Sequence, residues 1–127
     1  MALCAANLPR HARLRCAADF SAIRRNSVRQ GGRCFTIRYR PNGLVYARLG
    51  LAVSRRVSRR AVERNRIKRL LRESFRRKRT YLPAVDFLVM ARESASGRSG
   101  AELLADMDAL WRKLSTLKKT AGSDQLY

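Results

Sequence analysis

Arg64, Asn65 and Arg66 stand side by side in the stretch VERNRIKRLLRESFRRKR, residues 62–79. Arg69, Arg72 and Arg76 follow Asn65 at spacings of four, three and four, with Lys68 beside them. A guanidinium presents its donors as a planar fork that matches phosphate oxygens in pairs. Asparagine adds an acceptor, which arginine lacks, and can read a base edge or a 2′-hydroxyl. The start of a helix adds free backbone N–H groups and the positive end of the dipole, which suit phosphate. Placing Arg and Lys there is unfavourable unless an anion is bound. The chemistry on offer is capture of a phosphate backbone.

Bond-breaking chemistry has no comparable group of residues. The acids Glu63, Glu73, Asp86, Glu93, Glu102, Asp106 and Asp108 show no metal-ligand spacing, and Asp106 and Asp108 fall on different faces of a helix. His11 is the one histidine. Cys4, Cys16 and Cys34 are odd in number, widely spaced and without a CxxC pair, so a zinc site is not expected. They read as small thiols in a reducing compartment. No catalytic residue and no protein-held metal are expected, and the isolated chain should cleave nothing.

Composition agrees with an anionic partner. Lys and Arg number 29 against 9 Asp and Glu, a formal charge of +20 on 127 residues, with a pI near 11.6. Self-repulsion of that size opposes compaction, and a polyanion relieves it. The 46% hydrophobic content still specifies one globular domain and not a disordered tail. A membrane surface is the rival polyanion, but no segment approaches the roughly 20 apolar residues of a spanning helix. The opening MALCAANLPRHARLRC runs apolar then basic, the reverse of a secretory signal, so a cytoplasmic protein is expected.

Periodicity supplies the elements that position the basic residues. Residues 17–25 read as a short helix with Asp19 as N-cap and Phe20, Ala22 and Ile23 inward. NSVRQGG breaks the pattern. Residues 33–40 alternate as a half-buried strand, with Phe35, Ile37 and Tyr39 on one face and Cys34, Thr36, Arg38 and Arg40 on the other. PNG is a turn, and 44–54 is a second strand region, interrupted near Gly50. The basic helix runs from Ala61 to before Pro83. Ile67, Leu71, Ser74 and Phe75 fall on one side with Leu70, and Asn65, Arg69, Arg72 and Arg76 on the other. Residues 85–92 form an apolar strand. Residues 101–117 form an amphipathic helix with Leu103, Leu104, Met107, Leu110, Trp111 and Leu114 inward. Residues 118–127 are expected to fray and 1–14 to form a flexible basic arm. The fold class is α+β, a single small sheet with helices packed on one face, in the order αβββαβα or one strand fewer.

GLAVSRRVSRRAVE followed by RNRIKRLLRESF resembles the signature of the protein subunit of bacterial ribonuclease P. The resemblance runs from LRCAADF through LPAVDFLVMAR to ALWRKL, in one order over most of the chain. It implies a left-handed βαβ crossover through the basic helix, which general rules of handedness do not predict. It implies a ribonucleoprotein that removes the 5′ leader from precursor tRNA, with the RNA as catalyst using magnesium. No obligate protein partner is implied. Arg64, Asn65 and Arg66 are then expected to meet the catalytic RNA, and Lys68, Arg69, Arg72 and Arg76 to extend that surface, with Arg55, Arg56 and Arg60 leading into it. A leader-binding cleft is expected beside the sheet, lined by Phe20, Arg24, Phe35, Arg38, Tyr39 and Ser54. Aromatic platforms beside cationic grooves suit unpaired nucleic acid. The main alternative is a basic structural ribosomal protein bound to rRNA. A second is a DNA-binding module that lays the basic helix in a major groove.

Overall fold

A computed structural model describes residues 12–13, 17–25 and 27–124, the side chains of 17–19 and 117–124 excepted. The chain runs α1 (Ala17–Arg25), β1 (Val28–Gly31), β2 (Phe35–Pro41), β3 (Arg48–Ala52), α2 (Ala61–Lys78), β4 (Val85–Ala91) and α3 (Gly100–Asp124). Its single sheet has the order β1-β2-β4-β3. β2 is antiparallel to both β1 and β4, while β3 runs parallel to β4. Two parallel neighbours cannot be joined by a tight turn, and α2 is the crossover between them.

Register sorts the two faces of the sheet. Ile37 pairs with Val89, Tyr39 with Phe87 and Leu49 with Phe87, so the apolar positions of β2, β3 and β4 lie side by side. They form the main core with Ile67, Leu71 and Phe75 of α2 and Leu103, Met107, Leu110, Trp111 and Leu114 of α3. Phe87 stands edge-on to Phe75 and to Trp111, with ring centroids 6.1 and 5.5 Å apart. The indole N–H of Trp111 donates to Ser74 Oγ at 2.8 Å, so the buried hydroxyl ties α2 to α3. The opposite face carries Leu88, Met90 and Ala52, which pack against Ile23 and Phe20 of α1.

Several expectations need correction. Helices cover both faces of the sheet, because α1 lies across β2 and β4 opposite α2 and α3. The third strand of the first sheet half is β1, within the NSVRQGG segment. It is an edge strand whose side chains are mostly exposed, so it carries no apolar period; it is held by ladder bonds to β2. β3 is not interrupted: Gly50 sits in register with Leu88. Leu44 and Val45 belong to an exposed turn before β3, where Asn42 accepts the Leu44 N–H at 2.8 Å and donates to the Tyr46 carbonyl at 3.2 Å. Asp19 is inside α1 and not its N-cap. α3 continues past 117 to Asp124. Of the expected basic arm, Ala12 is fully buried in the core and Arg13 bridges to Leu49. The rest of that arm, with Cys4 and His11, lies outside the described residues, as does Cys16.

Candidate nucleic-acid interface

α2 is two-sided. Ile67 and Leu71 are 0% and 1% exposed, while Asn65 and Arg69 stand in solvent and Lys68, Arg72 and Arg76 are half-buried along the flank. Its first residues follow a segment shaped by two serines. Ser54 Oγ accepts the Arg56 N–H and Ser58 Oγ accepts the Arg60 N–H, at 3.3 and 3.2 Å. Val57 is buried, so the turn is pinned by its apolar residue and presents Arg55, Arg56 and Arg60 outward. Arg60, at the N-cap position, provides no side-chain cap to the first turn.

The two arginines of the RNR triplet are anchored. Arg64 Nη1 donates to the carbonyls of Ser58 and Arg59, each at 3.0 Å. Arg66 Nη2 donates to the Arg98 carbonyl at 3.1 Å. Glu63 accepts the Gly97 N–H at 3.2 Å, and its carboxyl is held below the ordinary value by hydrogen bonds from Ser58 and Gly97. A guanidinium has five donors, so each arginine keeps others for a phosphate while its orientation is fixed. Pre-set forks of this kind lose less side-chain entropy on binding.

Counter-charge is distributed unevenly along α2. Glu73 takes both Nε and Nη2 of Arg76, at 3.0 and 2.6 Å, and also Arg77 Nε at 3.0 Å. Those bonds, Arg76 first, hold the Glu73 carboxyl low. Arg76, expected on the RNA-binding surface, is thus tied to Glu73 through Nε and Nη2 and keeps its Nη1 donors. Among the described residues, Arg72 has no such partner. Burial first, then the charges of Arg13 and Arg69, push its guanidinium below the usual value.

The expected leader cleft divides. Phe35 and Tyr39, 0% and 6% exposed, lie on the α2 and α3 side of the sheet inside the core. This corrects their assignment to the cleft, since a strand aromatic under two helices offers no ring face. Phe20 is half-buried on the α1 side, and Arg24 is exposed on the same helix. Arg38 lies on that side too and donates to Ser27 Oγ at 3.5 Å. Ser54 follows Ala52, which packs beside Phe20. The sequence reading missed Arg29, which pairs with Arg38 across the β1–β2 ladder and shares its face. It missed Asp106 as well, whose carboxylate accepts the N–H groups of Arg33 and Cys34 at 3.1 and 3.0 Å and fixes the β1–β2 turn. Neither had a local signal, because both act through partners distant in sequence.

An α+β domain with anchored arginines along one side of a crossover helix defines a class, the small basic nucleic-acid-binding proteins. The family model described as Ribonuclease P matches residues 8–115. The ribonuclease P protein component of Methylococcus capsulatus is 41% identical over 115 residues, 91% of this chain and 88% of that protein. That of Photobacterium profundum is 43% identical over 110 residues, covering 87% and 93%. Among solved structures, the Staphylococcus aureus RNase P protein superposes with a TM-score of 0.76 at 28% identity, covering 80% of this chain and 93% of that one. The Thermotoga maritima RNase P protein gives 0.72 at 30%, covering 80% and 96%. The chain belongs to the ribonuclease P protein family. Among the described residues, no helix is long and apolar enough to cross a membrane.

Proposed function

We propose that this chain acts in the cytoplasm as the accessory protein of a ribonuclease P whose RNA carries the chemistry. The exposed side of α2, with Arg64, Asn65, Arg66, Lys68, Arg69 and Arg72, lies on the catalytic RNA. The segment with Arg55, Arg56 and Arg60 continues that surface. The unpaired 5′ leader of precursor tRNA lies along the α1 side of the sheet, against Phe20, Arg24, Arg29 and Arg38, with Ser54 at the rim. The observation that carries this reading is the sorting of α2: its apolar side is in the core, Asn65 and Arg69 are exposed, and the anchored Arg64 and Arg66 stand half-buried beside them.

Among the described residues, no three His, Cys, Asp or Glu side chains come together. We assign magnesium mainly to the RNA subunit, and the protein's part is to bind and orient. The experiment that tests the reading is reconstitution with a bacterial ribonuclease P RNA. The protein should raise affinity for precursor tRNA bearing a leader over leaderless tRNA, beyond what the RNA achieves alone. An equal effect on both substrates would reduce the chain to a general RNA coat. Cleavage by the RNA-free protein at physiological magnesium would overturn the division of labour.

A further inference from the structure

Glu63 is an acid set among cations at the start of α2. Arg60, Arg64 and Arg66 are its near neighbours in the chain, but among the described residues it forms no ion pair. Glu73, further along the same helix, does the opposite and takes two arginines. Glu63 reaches off α2 and accepts the Gly97 N–H at 3.2 Å, while the Ser58 hydroxyl steadies its carboxyl. The next residue of that loop offers its carbonyl back to α2, where Arg66 Nη2 donates to Arg98 at 3.1 Å. Two reciprocal bonds thus join neighbouring residues of one loop to side chains about one helical turn apart. The loop itself is well braced. Ala95 is fully buried, and Gly97 takes φ +75°, a left-handed conformation that glycine adopts without strain. Arg98 Nε donates to the Ser94 carbonyl at 3.0 Å, and Ser99 and Glu102 cap α3 reciprocally at 3.0 and 3.2 Å.

We propose that Glu63 is a positioning residue for Arg66. By fixing the Gly97 peptide it keeps the Arg98 carbonyl against the Arg66 guanidinium, so the remaining donors of that fork are set before RNA arrives. The inference rests on the function proposed above, in which Arg66 meets RNA. Coulomb's law alone gives the opposite expectation: a negative charge among RNA contacts repels phosphate, and its removal should strengthen binding. Salt screens that repulsion, whereas the cost of ordering a long side chain on binding remains. Glu63 also orders Arg66 without neutralising it, because its own acceptors go to neutral donors. An ion pair would occupy N–H groups that a phosphate needs, as Glu73 does with Arg76.

The test compares Glu63→Ala with Glu63→Gln in the full chain, each assayed well below its melting temperature. Glutamine keeps an oxygen that accepts the Gly97 N–H and removes only the charge. Against a bacterial ribonuclease P RNA, Glu63→Gln should bind at least as tightly as wild type at low salt and converge on it as salt is raised. Glu63→Ala should bind about two- to tenfold more weakly, the cost of ordering one long side chain, and the deficit should widen as salt screens the opposing charge effect. Tighter binding by both variants would show a charge effect only and overturn the proposal. In an Arg66→Ala background Glu63→Ala should no longer weaken binding, and a deficit that persists there overturns the proposal too. NMR relaxation of the Arg66 Nε–Hε group supplies a readout in the free protein. The side chain should be ordered in wild type and Glu63→Gln and mobile in Glu63→Ala; equal order in all three overturns the positioning role. If the wild-type chain binds no such RNA, the proposed function fails, while the order of Arg66 still decides whether Glu63 sets it.

Discussion

At the residue scale, the exposed and buried members of α2 should separate by assay. Asn65→Ala removes an exposed side chain, so the melting temperature should hold while RNA affinity falls. Arg64 also fastens the Ser58 and Arg59 carbonyls. Arg64→Ala should therefore flatten the salt dependence of RNA binding by about one unit and cost about 0.5–1.5 kcal/mol of stability. A chemical denaturation curve run beside the binding series checks both. Ser74→Ala leaves the buried Trp111 N–H without its acceptor and should cost about 1–3 kcal/mol, with RNA affinity unchanged. Leu71→Ala should cost about 2–5 kcal/mol as a core truncation, and a wild-type melting temperature would refute the packing side assigned to it.

At the element scale, α2 carries many like charges and stabilises them locally with one glutamate. Glu73 bridges Arg76 and Arg77, and its carboxyl is depressed in the folded state. The unfolded chain therefore binds more protons in the interval between the two pKa values, and stability rises with pH there. The contribution is complete above the ordinary glutamate value of about 4.3 and is lost as pH falls through the lower folded value. Glu63 and Glu102 are depressed for the same kind of reason and act with the same sign. Melting temperature measured against pH should fall on the acid side of that value, and Glu73→Gln should make the decline shallower. An unaltered acid limb in Glu73→Gln would mean that the helix does not rely on this bridge. β1 shows the converse dependence, an element with little apolar content of its own, held by its ladder to β2 and by Asp106 on the turn.

At the scale of the whole molecule, the formal charge of +20 sits on a shell around two cores, one on each face of the sheet. Screening should relieve the self-repulsion, so the free protein should melt at a higher temperature as sodium chloride is raised from low ionic strength. The same salt should weaken RNA binding steeply. Opposite responses to one variable separate the two roles of the charge. A melting temperature that fell with salt would show that specific ion pairs, rather than net repulsion, dominate the free fold.

Much was legible in the order of residues alone. The apolar repeats at Ile67, Leu71 and Phe75 and at Leu103, Met107, Leu110 and Trp111 set which sides of two helices are buried, because burial follows a period that sequence displays directly. The RNR triplet and its charged flank were visible for the same reason. The tertiary structure alone decided which aromatics are free. Phe35 and Tyr39 alternate as any half-exposed strand does, and only the packing of α2 and α3 above them removes their rings from solvent. It also decided that Arg76 is bridged by Glu73 while Arg72 feels the charge of Arg13, a residue far away in the chain. Periodicity reports on neighbours within an element. Whether a charge finds a partner or another charge depends on contacts between elements, which no local pattern encodes.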